Sequence, residues 1–356
     1  MKIREELLRN IRQVEPYVPG EQPQEQVVKL NTNENPYPPS PEVKKALASL
    51  DTDAFRLYPD PASSVLVNAL AEQYHVGEDQ VFVGVGSDDV LSLCFLTFFN
   101  SDKPVLFPDI TYSFYKVWAQ LYRIPYECPK LDEEFRIVKE DYYRENGGVI
   151  FPNPNAPTAI YEELDFIEDI LEHNRNSIVI VDEAYVDFAG RSAIELIGRY
   201  DNLIVTQTFS KARSMAGMRI GYAIANPELI RCLNDVKYSF NSYTMSRAAL
   251  VCGAAAVKDR AYFEENVRKI VKTREWAKEE LKSLGFILTD SKANFIFARH
   301  PEYDAEKLFE ELKAEHIYVR HWNDERIGQY LRITVGTDEE MNTLFSFLRK
   351  RIGKDE

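Results

Sequence analysis

The sequence is poor in the residues that build disulfide frameworks and metal cages. Among its 356 residues are four cysteines, Cys94, Cys128, Cys232 and Cys252, scattered and mostly in apolar surroundings. They are expected to be reduced packing residues rather than bridges. The five histidines have no HExxH or other paired spacing, so no metal site is expected. No apolar run approaches the ~20 residues that span a bilayer. The opening stretch MKIREELLRNIRQVEPYVPGEQPQ also lacks the apolar core of a signal peptide, so a cytoplasmic location without a membrane partner is expected. Positive charge is scarce as well. The 43 basic residues against 57 acidic ones give a net charge of −14, which argues against nucleic acid as a partner. Anionic substrates are still allowed, because a few inward-facing arginines can reverse the field locally. Solenoid repeats and low-complexity tracts are absent too.

What is present suits a two-domain protein. The length predicts a large domain with a smaller companion. Apolar residues at 45%, with twenty Phe and twenty Tyr, are enough for a substantial core. Residues 1–43, rich in Pro, Asn and Gln, read as an extended arm that joins the smaller domain and a dimer contact. From 44 to 260 short β-prone runs alternate with stretches of helical period: VFVGVG then DDVLSLCFLTFF, PVLFPD then TYSFYKVWAQLY, GVIFPNP then YEELDFIEDILEHN, SIVIVDEAY then SAIELIGRY, LIVTQTFS then RIGYAIA. Runs such as SIVIVD are apolar on both faces, as in strands covered on both sides. The fold class is therefore α/β, a mostly parallel sheet between helices. Residues 261–356 return to α+β patterning, with a long charged helix ended by Gly285, then NFIFARH, AEKLFEELKAEH, IYVRHW, YLRITVG and a closing helix.

Ligands collect at the carboxyl ends of the strands in such a sheet. Three of these ends carry unusual polar groups. VFVGVGSDD supplies Gly84, Gly86 and Ser87 at a helix start, where free amides attract a phosphate. A dinucleotide fingerprint fails there, since its third glycine position is Asp89. SIVIVDEAY places Asp182 after four apolar residues. That acid is either an N-cap or structural ion pair, or the partner of a protonated ring nitrogen. LIVTQTFSK ends in Ser210 and Lys211, with Arg219 eight residues on. A lysine near cations and away from bulk water loses proton affinity and attacks carbonyls, and an arginine fork suits a phosphate.

In this order, NPNAPTA, VDEAY and TFSKARSMAGMRIGY resemble the class I/II group of fold type I pyridoxal-phosphate aminotransferases over essentially the whole chain. LNTNENPYPPSP, LYPDP, FPDITYSFY and YLRITVGT extend the likeness. The resemblance implies pyridoxal 5′-phosphate as cofactor, held covalently by Lys211, which also moves the proton. It implies Asp182 at the ring nitrogen and Tyr185 and Asn155 at the ring hydroxyl. Ser87, Asp88, Ser210 and Arg219 would surround the phosphate, Tyr112 would stack on the ring, and Tyr58 would reach the neighbouring subunit of a homodimer. Arg332, Arg320, Tyr17, Asn33 and Asn294 would form the substrate end. The implied substrates are small molecules, a phosphorylated amino alcohol and a 2-oxo acid. A phosphoamino-acid decarboxylase or an aromatic amino acid aminotransferase of the same fold is the alternative. Ala156 and Ala159 stand where the family pattern has Asn and Gly, Arg213 where it has an aromatic, and Leu57 where an arginine is common.

Overall fold

The computed structural model describes residues 3–352. In chain order its strands are β1 (Val28–Lys29), β2 (Val81–Gly84), β3 (Val105–Leu106), β4 (Tyr126–Glu127), β5 (Gly148–Pro152), β6 (Val179–Asp182), β7 (Leu203–Thr208), β8 (Gly221–Ala225), β9 (Ile287–Leu288), β10 (Phe295–Arg299), β11 (Ile317–Tyr318) and β12 (Leu331–Thr334). The helices are α1 (Glu5–Leu8), α2 (Pro41–Ala48), α3 (Ser64–Tyr74), α4 (Ser87–Phe98), α5 (Phe114–Tyr122), α6 (Leu164–His173), α7 (Pro227–Phe240), α8 (Arg247–Lys258), α9 (Arg260–Ser283), α10 (Ala305–Ala314) and α11 (Asp338–Ile352).

A seven-stranded sheet in the order β2-β8-β7-β6-β5-β3-β4 forms the frame. Only β8 runs against the rest, pairing antiparallel with both β2 and β7. The carboxyl ends of β2, β5, β6 and β7 therefore lie along one edge. Alternate residues serve the two faces, which explains the continuous apolar runs. Val149, Val181 and Val205 pack on one side with Leu70, Ile170 and Leu250 of α3, α6 and α8. Ile150, Ile180 and Ile204 pack on the other with Leu91, Trp118 and Leu233 of α4, α5 and α7.

The later residues build a second core, in which Ile270 and Leu281 of α9 and Leu344 and Leu348 of α11 cover β10 and β12. β12, β10 and β9 form an antiparallel sheet. The arm contributes one exposed turn, α1, and then β1, which pairs in parallel with β11. Two stretches read as helical differ: RIGYAIA forms strand β8, its apolar residues paired between β2 and β7, and a second is reduced. SAIELIGRY makes a single tight 3-10 turn at Ala193–Leu196, its start held by the Glu183 carboxylate, which accepts from Ser192 Oγ and the Ala193 amide. No helix among the described residues is long and apolar enough to cross a membrane. The four cysteines are free thiols, Cys94 and Cys252 buried and Cys128 and Cys232 half-buried.

Candidate active site

A cavity of about 400 Å³ opens at the carboxyl edge of the large sheet, where the second core and the N-terminal arm close over it. That is room for a cofactor and a small substrate. Its floor is built by the strand ends.

At the end of β6, Asp182 is buried and accepts a 2.8 Å hydrogen bond from the Tyr115 hydroxyl of α5 at Oδ2. Thr206 Oγ1 lies 3.5 Å from Oδ1. Burial pushes the carboxyl up to about 6, against the lowering effect of Tyr115. A buried acid with so few donors is suited to a cationic partner. Tyr115 was not foreseen as a site residue. It lies in FPDITYSFY, but no local pattern tells which of the tyrosines there faces β6.

Just past β7, Lys211 reaches into the cavity, and its Nζ donates to the Thr32 carbonyl at 3.1 Å. Burial lowers its pKa to about 8, with Arg332 and Arg219 adding to the effect while Glu34 and Asp88 oppose it. One amine thus sits between two guanidinium groups from opposite ends of the pocket.

The phosphate-sized end is the loop between β2 and α4. Gly86 has φ +85°, and a Cβ on it would lie 2.6 Å from Arg219 Nη2. α4 then begins at Ser87 with no side-chain cap on its first turn, leaving amides for an anion. Arg219 is itself left-handed, φ 52°, and its Nη2 is 3.2 Å from Asp88 Oδ2. Asp88 Oδ1 accepts from the Tyr112 hydroxyl at 2.7 Å, which sets the tilt of that ring at the cavity wall. Ser210 lines the same end, its Oγ 3.0 Å from Thr208 Oγ1.

At the far end Arg320 and Arg332 lie side by side, exchanging backbone hydrogen bonds of 3.0 and 2.8 Å. Both guanidinium groups lie over the Trp322 ring, at 5.5 and 5.3 Å. Arg332 Nη2 donates to the Asn31 carbonyl at 2.8 Å, while its Nε is buried without a partner. Tyr17 of the arm completes this wall, stacked on Phe114 at 4.3 Å. Glu34 and Trp322 line the cavity too and were missed, since neither stands in a motif with a chemical signature.

Asn33 is fully buried with φ 56° and donates its side-chain amide to the Tyr185 hydroxyl at 2.9 Å. Thr334 meets its backbone N–H and Oδ1, and Asn294 donates to its carbonyl at 3.0 Å. Asn294 therefore stands behind Asn33 and does not line the cavity, contrary to the substrate contact expected of it. Asn155 is also turned away from the ring-hydroxyl position expected for it. Its amide donates to Ile110 O and Thr158 Oγ1, and its Oδ1 accepts from Thr111, so all its polar atoms are committed to the neighbouring loop. Ala156 faces the cavity instead. Tyr58 lies outside the pocket, 77% exposed and stacked on Tyr243 at 4.5 Å. Among the described residues no cluster of three or more His, Cys, Asp or Glu could hold a metal ion.

Comparison with known proteins agrees with this geometry. The sequence profile of the family aminotransferase class I and II matches residues 25–348. A histidinol-phosphate aminotransferase of Lactococcus lactis subsp. cremoris is 51% identical over 98% of this chain and 98% of its own. One of Clostridium botulinum is 50% identical over 96% of this chain and 97% of its own. Among solved structures, the histidinol-phosphate aminotransferase of Sinorhizobium meliloti in complex with pyridoxal-5′-phosphate superposes with a TM-score of 0.83 at 24% identity, over 91% of this chain and 90% of that one. An L-threonine-O-3-phosphate decarboxylase of Porphyromonas gingivalis gives 0.78 at 19% identity, over 91% and 99%, so the same fold also carries that chemistry.

Proposed function

The chain belongs to the class I and II aminotransferases, and from that premise we propose that it moves the amino group of histidinol phosphate to 2-oxoglutarate, giving imidazole acetol phosphate and glutamate, in histidine biosynthesis. The transaminase is pyridoxal-phosphate dependent. The observation that carries the reading is Lys211, a half-buried amine lining the cavity with guanidinium groups at two separate ends of it. One end suits the cofactor phosphate and the other a second anion, and the relatives name that second anion's owner.

The residues fit the cofactor. Lys211 Nζ would hold it, Asp182 would meet its ring nitrogen and Tyr185 its ring hydroxyl. Ser87, Asp88, Ser210 and Arg219 would surround its phosphate, and Tyr112 would cover its ring. When bound, pyridoxal phosphate supplies a carbonyl carbon for the amine and a ring that draws in the electron pair left on the substrate Cα.

The protein's own groups do the rest. With its proton affinity lowered to about 8, Lys211 Nζ can take the Cα proton as base and return one as acid near neutral pH. The Asp182 carboxylate, its charge favoured by a cation facing it, keeps a proton on that cation. Tyr185 accepts from Asn33, which leaves its own hydroxyl proton free to point into the cavity. The Arg332 fork, seconded by Arg320, accepts either the phosphate of the amino donor or the α-carboxylate of the 2-oxo acid.

A homodimer accompanies this reading. Leu57, Tyr58, Phe240 and Tyr243 are exposed, with Tyr58 stacked on Tyr243, and nearby the Pro61 carbonyl takes Lys237 Nζ at 2.7 Å. A second copy covering these residues would bring Tyr58 to its partner's cofactor phosphate. The charged metabolites handled suit a cytoplasmic location. Glutamate formation from histidinol phosphate and 2-oxoglutarate tests the assignment. No glutamate, or carbon dioxide from threonine phosphate without transamination, would overturn it.

A further inference from the structure

The loop between β11 and β12 carries Arg320 and Trp322, one wall of the cavity. The loop between β3 and α5 carries Tyr112, the opposite wall. They lie some two hundred residues apart in the sequence, and Arg326, which does not line the cavity itself, joins them. Arg326 Nη1 pairs with Asp109 Oδ2 at 2.6 Å, and its Nη2 donates to the carbonyls of Leu131 and Asp132 at 2.9 and 3.2 Å. Its guanidinium also lies 5.9 Å from the Phe135 ring centre.

Both ends of this clamp are braced. Asp109 Oδ1 accepts from the amides of Ile110 and Leu131 at 2.9 and 3.0 Å. Ile110 and Thr111 are in turn held by the committed amide of Asn155, so the stretch leading to Tyr112 is stiff. On the other side Asp324 caps the turn at Arg326 and Ile327, and His321 Nε2 is 2.7 Å from the Gly328 carbonyl. Tyr330 stacks on Phe297 at 4.4 Å and meets Phe135 edge-on at 5.3 Å. A charge-assisted, multidentate arginine between two stiff loops fixes their separation far better than a lone surface pair would.

We propose that Arg326 is a positioning residue that sets the width of the substrate pocket, holding the Arg320–Trp322 wall against the Tyr112 wall through Asp109. The substrates it affects are those of the proposed reaction, and to that extent the inference rests on that reading. Both half-reactions use the same two walls, so the clamp governs the hold on amino donor and 2-oxo acid alike. The proton transfer at Lys211 depends on a different set of contacts.

The test uses the holoenzyme with Arg326→Met and Arg326→Lys. Steady-state kinetics with each substrate are combined with hydrogen exchange across residues 319–330. For the methionine variant the expected result is a rise of about tenfold or more in KM for both substrates, with kcat within about threefold, and faster exchange in the loop. Lysine, which keeps the ion pair but not both carbonyl contacts, should fall between. Unchanged KM for both substrates, or a loss confined to kcat, overturns the proposal. If the methionine variant does not fold, the lysine variant carries the same comparison. Should the wild-type protein fail to turn over histidinol phosphate, the substrate assignment falls. The exchange comparison still decides the clamp: no change in loop exchange rejects it.

Discussion

Tyr115 donates its hydroxyl to Asp182 at 2.8 Å, and both residues are buried beneath the cavity floor. That donor, with the Ala184 amide and the Thr206 hydroxyl, holds the carboxylate in place but does not offset the loss of water, and the acid is left at about 6. The protein without cofactor therefore carries a strained charge that only a cation above it relieves.

Asp182→Asn should expose this tension. A carboxyl raised from 3.8 to about 6 by folding binds its proton more tightly in the folded state. Stability therefore falls as pH rises between those two values, and the loss is complete above the upper one. Asparagine still accepts from Tyr115 and removes a cost of up to ~3 kcal/mol. The cofactor-free variant should melt higher than wild type at pH 8, and the gap should close below pH 4. Its turnover should drop by about 100-fold or more. Thermal melts at the two pH values, beside one activity assay, decide it.

Cofactor uptake should report on Lys211. Only the neutral amine attacks a carbonyl. The rate at which cofactor-free protein takes up pyridoxal phosphate should rise with pH and level off near 8, the value to which burial and two arginines lower this lysine. An ordinary lysine would still be gaining at about pH 10. Arg332→Gln removes one of those cations and should move the midpoint upward. Stopped-flow absorbance across pH follows both.

The anion cradle has no room for a side chain. Gly86→Ala places a Cβ 2.6 Å from Arg219 Nη2 at φ +85° and ψ 165°, an essentially glycine-only backbone region that costs an L-residue ~1–3 kcal/mol. Pyridoxal phosphate should dissociate about tenfold more readily, while turnover at saturating cofactor changes much less. Equilibrium dialysis with phosphate-buffer competition measures the first quantity.

Arg332→Lys keeps the charge and loses the fork. KM for both histidinol phosphate and 2-oxoglutarate should rise, by about tenfold or more, because both anions use one guanidinium. A rise for only one substrate would mean that Arg320 alone receives the other.

The sheet was legible because burial on both faces leaves long apolar runs, and each run that ends at the site stops on a conspicuous group: Gly84–Gly86, Asp182, Ser210–Lys211. Side-chain direction was less accessible. Asn155 and Asn294 stand in the expected segments, but hydrogen bonds to residues far off in the sequence turn one into a loop brace and the other into a support for Asn33. Nothing in their neighbours' identities encodes that turn. Tyr115, Trp322 and Arg326 act through contacts made across the chain, which only the assembled fold brings together.

The most direct test of the central claim is where the cofactor becomes attached. The protein is incubated with pyridoxal phosphate, reduced with borohydride, digested and sequenced by mass spectrometry. The account predicts one labelled site, Lys211, and no label in Lys211→Ala. Label at another lysine, or an unlabelled wild-type protein, would contradict it.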